Sequence, residues 1–127
     1  MTAGLAIMFD MAVDGVALKH AVDAWATATP LDRAMRFDAA ETVRWVEWSA
    51  NAFFKILLGV TAGAFGASLL RRARTRVHGL LASAAGTVFV VSGAQVGRDG
   101  FTPSPLPLLA SLLLAVLAVA LVVPTRR

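Results

Sequence analysis

The chain has no cysteine and only two histidines. Without cysteine, disulfides, thiolate metal sites and cysteine nucleophiles are all excluded. His20 and His78 stand alone, and no spacing of His, Asp or Glu offers the three or four converging ligands a metal needs. His20 is expected to make a surface hydrogen bond with Asp23. No Gly-rich phosphate loop follows a strand pattern, and no nucleophile–base pair appears. The expectation is therefore a chain that is not an enzyme, with no metal and no cofactor. Charge is scarce as well: 16% of residues are charged against 57% hydrophobic. A soluble domain of 127 residues needs a larger polar surface than that. The length allows one domain.

The formal net charge of +4 comes from clustered arginine. Arg71, Arg72, Arg74 and Arg76 lie in one short run between two apolar segments, and Arg126 and Arg127 close the sequence. Nucleic-acid binders spread Lys and Arg over a folded surface or along a helix. Basic residues flanking apolar spans instead mark the cytoplasmic side of a membrane protein. The N-terminus lacks a basic region, and Asp10 and Asp14 interrupt its apolar stretch, so it does not read as a signal peptide.

Leu106–Val123 is uncharged, with Pro103, Pro105 and Pro107 preceding or opening it. Proline is tolerated in a first helical turn, and a membrane span needs about 17–25 apolar residues. Val77–Val96 and Ser49–Leu70 fit the same description, the latter with Lys55 in its first third. Thr2–Leu18 is nearly balanced. Its apolar side chains favour insertion by roughly 0.3–0.6 kcal/mol each, and Asp10 and Asp14 oppose it by roughly 2.5–3.5 kcal/mol each. This span requires its carboxylates to face the bundle interior. A regular helix puts Asp10 and Asp14, four residues apart, on one face.

Lys19–Trp48 is the most polar stretch and reads as a helical hairpin turning at Thr27-Ala28-Thr29-Pro30. Thr29 suits the N-cap, Pro30 the first helical position, and Asp32 the positive end of the helix dipole. No proline follows between Leu31 and Leu70, and glycine occurs there only at Gly59, Gly63 and Gly66. One helix of about 40 residues, roughly 60 Å long, is predicted, about twice the hydrocarbon thickness. Its N-terminal part should stand outside the bilayer. The arginine loop and tail fall on the cytoplasmic side, with both termini, and the hairpin and Gly97–Gly100 fall on the other. Trp25, Trp45 and Trp48 then sit near the outer interface, where Trp is enriched.

An antiparallel hairpin centred near residue 29 sets Asp14 opposite Arg44, Asp10 near Trp48 to Asn51, Lys19 near Glu41 and Asp23 near Arg36. Structural ion pairing is the plainer expectation for these charges, and an ion or proton path is the alternative. Glu47, Asn51 and Lys55 follow at four-residue steps on one face, with Asn51 or a first-helix carboxylate bridging the outer two. Lys55 is expected to snorkel to the outer interface rather than bind an anionic group. Gly59-x-x-x-Gly63 and Gly93-x-x-x-Gly97 fit close packing within the bundle.

Asp14-Gly15-Val16-Ala17-Leu18-Lys19 with Asp23-Ala24-Trp25-Ala26 resembles an uncharacterised family of small multi-pass bacterial membrane proteins, a domain of unknown function. Ala39-Ala40-Glu41-x-Val43-Arg44-x-x-Glu47 and Gly97-x-x-Gly100-Phe101 carry the same resemblance, which covers nearly the whole chain. It implies a helical bundle with a polar extracytoplasmic hairpin, and no known activity. It also implies further spans before this region, so the chain reads as a short version or an internal start.

The sequence thus predicts an all-α membrane bundle of about four transmembrane helices with a polar hairpin extension, multi-pass in the cell membrane. A structural or interaction component of the membrane is expected, with the bilayer and a second copy or another membrane protein as partners, and no nucleic acid. The alternative is a small proton- or ion-coupled transporter using Asp10, Asp14 and Glu47.

Overall fold

The computed structural model describes residues 2–122, with side chains for residues 4–120. Val123, Arg126 and Arg127 lie outside the described residues. Every regular element among those described is helical: α1 (Thr2–Ala12), a π-helical segment (Val13–Leu18), α2 (Lys19–Ala26), α3 (Arg33–Leu70), a short 3₁₀ turn (Ala73–Thr75), α4 (Arg76–Asp99) and α5 (Leu106–Val122).

The predicted long helix is present. α3 runs 38 residues without a break, about 57 Å. Its N-cap is Asp32 rather than the expected Thr29, so Pro30 is not its first residue, and Thr29 acts one turn earlier. The Thr29 hydroxyl accepts from the Asp32 N–H at 3.3 Å and donates to the Asp32 carboxylate at 2.8 Å. Pro30–Asp32 form that first turn, and the regular helix starts at Arg33. At the far end, the Thr75 hydroxyl donates to the Leu69 carbonyl at 2.7 Å and closes the sharp connection into α4. α4 continues to Asp99, so Gly97–Asp99 belong to the helix rather than to a loop, and the chain turns at Gly100 with φ +72°. A Cβ there would also lie 2.3 Å from the Trp48 ring, so both conformation and space demand glycine.

α3 and α4 pack backbone to backbone along a seven-residue glycine repeat. A Cβ on Gly66 would lie 2.7 Å from the Gly79 carbonyl oxygen, one on Gly59 2.5 Å from that of Gly86, and one on Gly93 2.7 Å from that of Ala52. The paired rows are therefore Ala52–Gly59–Gly66 and Gly79–Gly86–Gly93. Seven-residue spacing keeps a seam facing its partner along the whole contact in left-handed helix packing. The four-residue motifs expected from the sequence are half right. Gly59 and Gly93 are in the seam, but a Cβ on Gly63 would meet nothing within 4 Å and one on Gly97 only ordinary contact at 3.4 Å.

The helices form a bundle of open order: among the described residues α5 packs on α4, and α1 and α2 pack on α3 but on neither α4 nor α5. Near its far end α5 is tied to the start of α4 by His78 Nε2, 3.1 Å from the Ala120 carbonyl oxygen. That oxygen can only accept, so Nε2 carries the proton. The interior is rich in small side chains. The largest side chain buried almost completely is Ser92, and the core combines Ala40, Ala52, Ala82, Ala85 and Ala110 with Val13, Phe89, Val96 and Leu117. Leu5, Met8, Phe53, Leu80, Leu108 and Val119 all point outward and are more than half exposed. α3 and the stretch Ala73–Asp99 are long and apolar enough to cross a membrane, and Leu106–Ala120 is a shorter apolar helix.

Candidate functional site

The first helical arm carries the irregularity that builds the site. Along α1, the residues turned toward α3 include Ala6, Asp10 and Val13. Leu18, at the end of the π segment, and Val22 and Trp25 beyond it resume the face. The step from Val13 to Leu18 is five residues, as an i→i+5 turn requires. The extra residue shifts everything after it by one position. Asp10 and Asp14, expected on one buried face, are thereby separated: Asp10 is buried and Asp14 is exposed. No side-chain signal in this stretch marks the π turn, and Gly15 inside it has open space around its missing Cβ.

Across from Asp10, α3 offers the predicted stripe Glu47, Asn51 and Lys55. Asn51 Nδ2 donates to Asp10 Oδ2 at 3.0 Å, as the hairpin register predicted. Asp10, Glu47 and Lys55 are only 6%, 7% and 8% exposed, although all three are ionisable. Lys55 lies within Coulombic reach of both Asp10 and Glu47. Its ammonium does not snorkel away; it sits 4.9 Å from the centre of the Phe101 ring. Phe101 belongs to the connection between α4 and α5, which folds back over α3. Its ring also meets Trp48 edge-on at 6.4 Å, and Trp48 meets Trp45 at 4.8 Å. An aromatic lid of Trp45, Trp48 and Phe101 thus covers one end of the polar cluster, with Gly100 pressed against Trp48. Phe101 was visible in the sequence only as part of a motif of unspecified role. Its placement over Lys55 depends on the loop closing back.

The other expected ion pairs rearrange. Arg44 pairs with Glu41 on its own helix at 3.1 Å rather than with Asp14. Its guanidinium also stands 5.9 Å from the Trp48 ring centre. Lys19 pairs with Asp23 along α2, so neither Lys19–Glu41 nor Asp23–Arg36 forms, and the expected His20–Asp23 bond is not among the described contacts. Residues three or four apart on one helix are already neighbours, so local pairs form without the long side chains having to reach across. The Arg44–Glu41 pair is partly exposed, so its attraction is weakened by screening. Arg44→Ala is therefore expected to cost less than about 1 kcal/mol, with no rescue by Asp14→Asn, in a thermal-unfolding series on purified protein. A larger loss that Asp14→Asn repairs would restore the cross-helix pairing.

Trp25 packs against Phe37 at 6.0 Å where α2 meets α3. Arg71, Arg72, Arg74 and Arg76 are all exposed around the 3₁₀ turn at the opposite end of α3, without an ion-pair partner among the described residues. Beyond the lid, Arg98 donates to Asp99 at 2.8 and 2.9 Å, which holds that exposed carboxyl below its usual range. An open apolar groove of about 760 Å³ runs between α1 and α3, lined by Leu5, Phe9, Trp45, Phe53 and Leu57 among others. No group of three or more His, Asp or Glu among the described residues is placed to hold a metal ion.

Comparison with known protein families, with curated proteins and with solved structures finds no match for this chain.

Proposed function

We propose that the chain is a multi-pass integral protein of the cell membrane with a structural or interaction role. The packing carries this reading: Gly, Ala, Ser and charged groups make up much of the interior beside Val13, Phe89, Val96 and Leu117, while many large Leu, Val, Phe and Met side chains face outward. In water that arrangement leaves large apolar area unburied. In lipid, helices associate through small residues and close backbone approach, because apolar side chains gain nothing by turning inward. Arrangement of α1/α2, α3, α4 and α5 as four spans puts the arginine turn on the cytoplasmic side with both termini, and Trp45, Trp48 and Phe101 at the outer interface, with Trp25, packed on Phe37, farther out. The resemblance to small multi-pass bacterial membrane proteins points the same way. The expected result is a protein that stays with the membrane through alkaline carbonate, needs detergent for release, and places a reporter fused after Arg127 in the cytoplasm. Release by carbonate, or an external reporter, would overturn the reading.

The interaction role rests on the tip of the α2–α3 hairpin. Residues 33–39 are exposed on every side. Leu31 (92% exposed), Met35 and Phe37 show apolar surface there, beyond the predicted span. Apolar groups held in water mark a contact surface. A photo-crosslinker at position 31 is expected to give one defined adduct in cells, with a second copy or with another membrane protein. No adduct tells against the role.

The buried trio Asp10, Glu47 and Lys55 favours a second reading, a small proton- or ion-coupled transporter, because intramembrane ionisable groups are costly to keep. Proton or cation flux into liposomes that disappears in a still-folded Glu47→Gln variant supports it; no flux from the wild type tells against it.

A further inference from the structure

All eight acidic residues of the chain lie between Asp10 and Glu47 or at Asp99. The turn from α3 into α4 carries Arg71, Arg72, Arg74 and Arg76, all exposed and without an ion-pair partner among the described residues. Glu47 and Asp99 stand roughly 35 Å away along α3 and α4, and Asp10, bonded to Asn51, about 30 Å away. Salt screens exposed charges beyond about 8–10 Å, so this end of the molecule has no counter-charge of its own. The turn is also held in shape. The Thr75 hydroxyl donates to the Leu69 carbonyl at 2.7 Å, and the Thr75 N–H donates to the Arg72 carbonyl at 3.1 Å. A fixed backbone thus gathers the arginines in one place.

The surface beside them is apolar. Val77 and Leu80 are both more than half exposed, and Leu80 follows Arg76 by four residues, on the same helix face. Guanidinium groups next to an exposed apolar strip complement an amphiphile with an anionic head and a hydrocarbon tail. A nucleic acid or a soluble polyanion would answer the charge and leave the strip uncovered.

We propose that this turn binds the phosphate group of an anionic phospholipid, whose acyl chains lie along Val77 and Leu80. The lipid is a partner of the membrane-embedded protein proposed above, and the assignment rests on that reading. Guanidinium suits the task, because its planar fork donates two parallel hydrogen bonds to a phosphate. Basic residues clustered beside a membrane helix attract anionic headgroups. A zwitterionic lipid offers the same phosphate but brings its own cation, which sets a positive charge beside the arginines.

The test uses the full chain purified in a neutral detergent. It is titrated with phosphatidylglycerol, with phosphatidylcholine of the same acyl chains, with inorganic phosphate and with a single-stranded oligonucleotide, and the bound species are counted by native mass spectrometry. Phosphatidylglycerol is expected to bind about tenfold tighter than phosphatidylcholine, as engagement of one or two arginines gives. Arg71→Gln, Arg72→Gln, Arg74→Gln and Arg76→Gln combined are expected to remove that preference, while Arg33→Gln with Arg36→Gln, at the far hairpin, keeps it. If the combined variant fails to fold, a photo-crosslinker at position 80 in bilayers mixed from the two lipids is expected to label phosphatidylglycerol well above its share. Equal affinity for the two lipids, labelling in proportion to the mixture, or a preference kept by the combined variant overturns the proposal. So does inorganic phosphate or the oligonucleotide binding as tightly as phosphatidylglycerol, since the turn would then serve a soluble anion. Any of these in a protein that resists carbonate leaves the membrane reading standing; release by carbonate overturns both.

Discussion

Gly86→Leu is expected to abolish the folded protein, and Gly86→Ala to cost about 3 kcal/mol or more. A Cβ at this position lies 2.6 Å from the Gly59 carbonyl oxygen and 2.7 Å from the Gly63 backbone nitrogen. Those obstacles are backbone, so no rotamer change relieves them. The helices would have to move apart, and with them the pairs Gly66–Gly79 and Ala52–Gly93 along the same seam. Overpacking a core typically costs 1–3 kcal/mol, and a seam built on helix backbones sits at or above the top of that range. Gly63→Ala, one turn away on α3 with open space around its Cβ, is the matched control. It is expected to be neutral or slightly stabilising, because alanine is the better helix former by about 0.5–1 kcal/mol. Thermal or denaturant unfolding of the two alanine variants in detergent checks this. Equal stability of both would mean that α3 and α4 are not in close backbone contact.

Removing Lys55 is expected to produce the second large effect. Lys55→Met keeps the apolar stem and deletes the ammonium that lies within Coulombic reach of the buried Asp10 and Glu47, with no direct ion pair to either among the described residues. Leaving buried carboxylates without their nearby cation costs up to about 3–5 kcal/mol, while removing opposite charges together is often close to neutral. Lys55→Met is expected to unfold or aggregate, and Lys55→Met combined with Glu47→Gln to recover most of the loss. The double-mutant cycle isolates the coupling, because additive losses would show that the two groups act independently. The Phe101 ring beside the ammonium adds a cation–π contact of about 0.5–2 kcal/mol. Phe101→Leu is expected to cost correspondingly less than Lys55→Met.

The elements whose cause is local were legible in the sequence. The 38-residue α3 follows from a stretch without proline whose entry is set by Thr29, Pro30 and Asp32. α5 follows from an uncharged run opened by prolines. The Glu47–Asn51–Lys55 stripe follows from four-residue spacing, and Asp10 against Asn51 from counting back through an antiparallel hairpin. The glycine seam was readable in principle. Its seven-residue period is present in the positions of Gly59, Gly66, Gly79, Gly86 and Gly93, but the shorter four-residue motif drew attention to Gly63 and Gly97 instead.

Amino-acid order by itself determined the all-helical character and the unbroken run of α3, because these depend on propensity and composition. Only tertiary structure decided which charges share a site. The π turn at Val13–Leu18 buries Asp10 and leaves Asp14 exposed. The return of the α4–α5 connection sets Phe101 over Lys55 and Gly100 against Trp48. The open order of the helices gives α5 no helical neighbour but α4 among the described residues. Each of these turns on contacts between residues far apart in the chain. A shift of one residue in one helix is enough to exchange a buried carboxylate for an exposed one, and periodicity along a single segment contains no information about that choice.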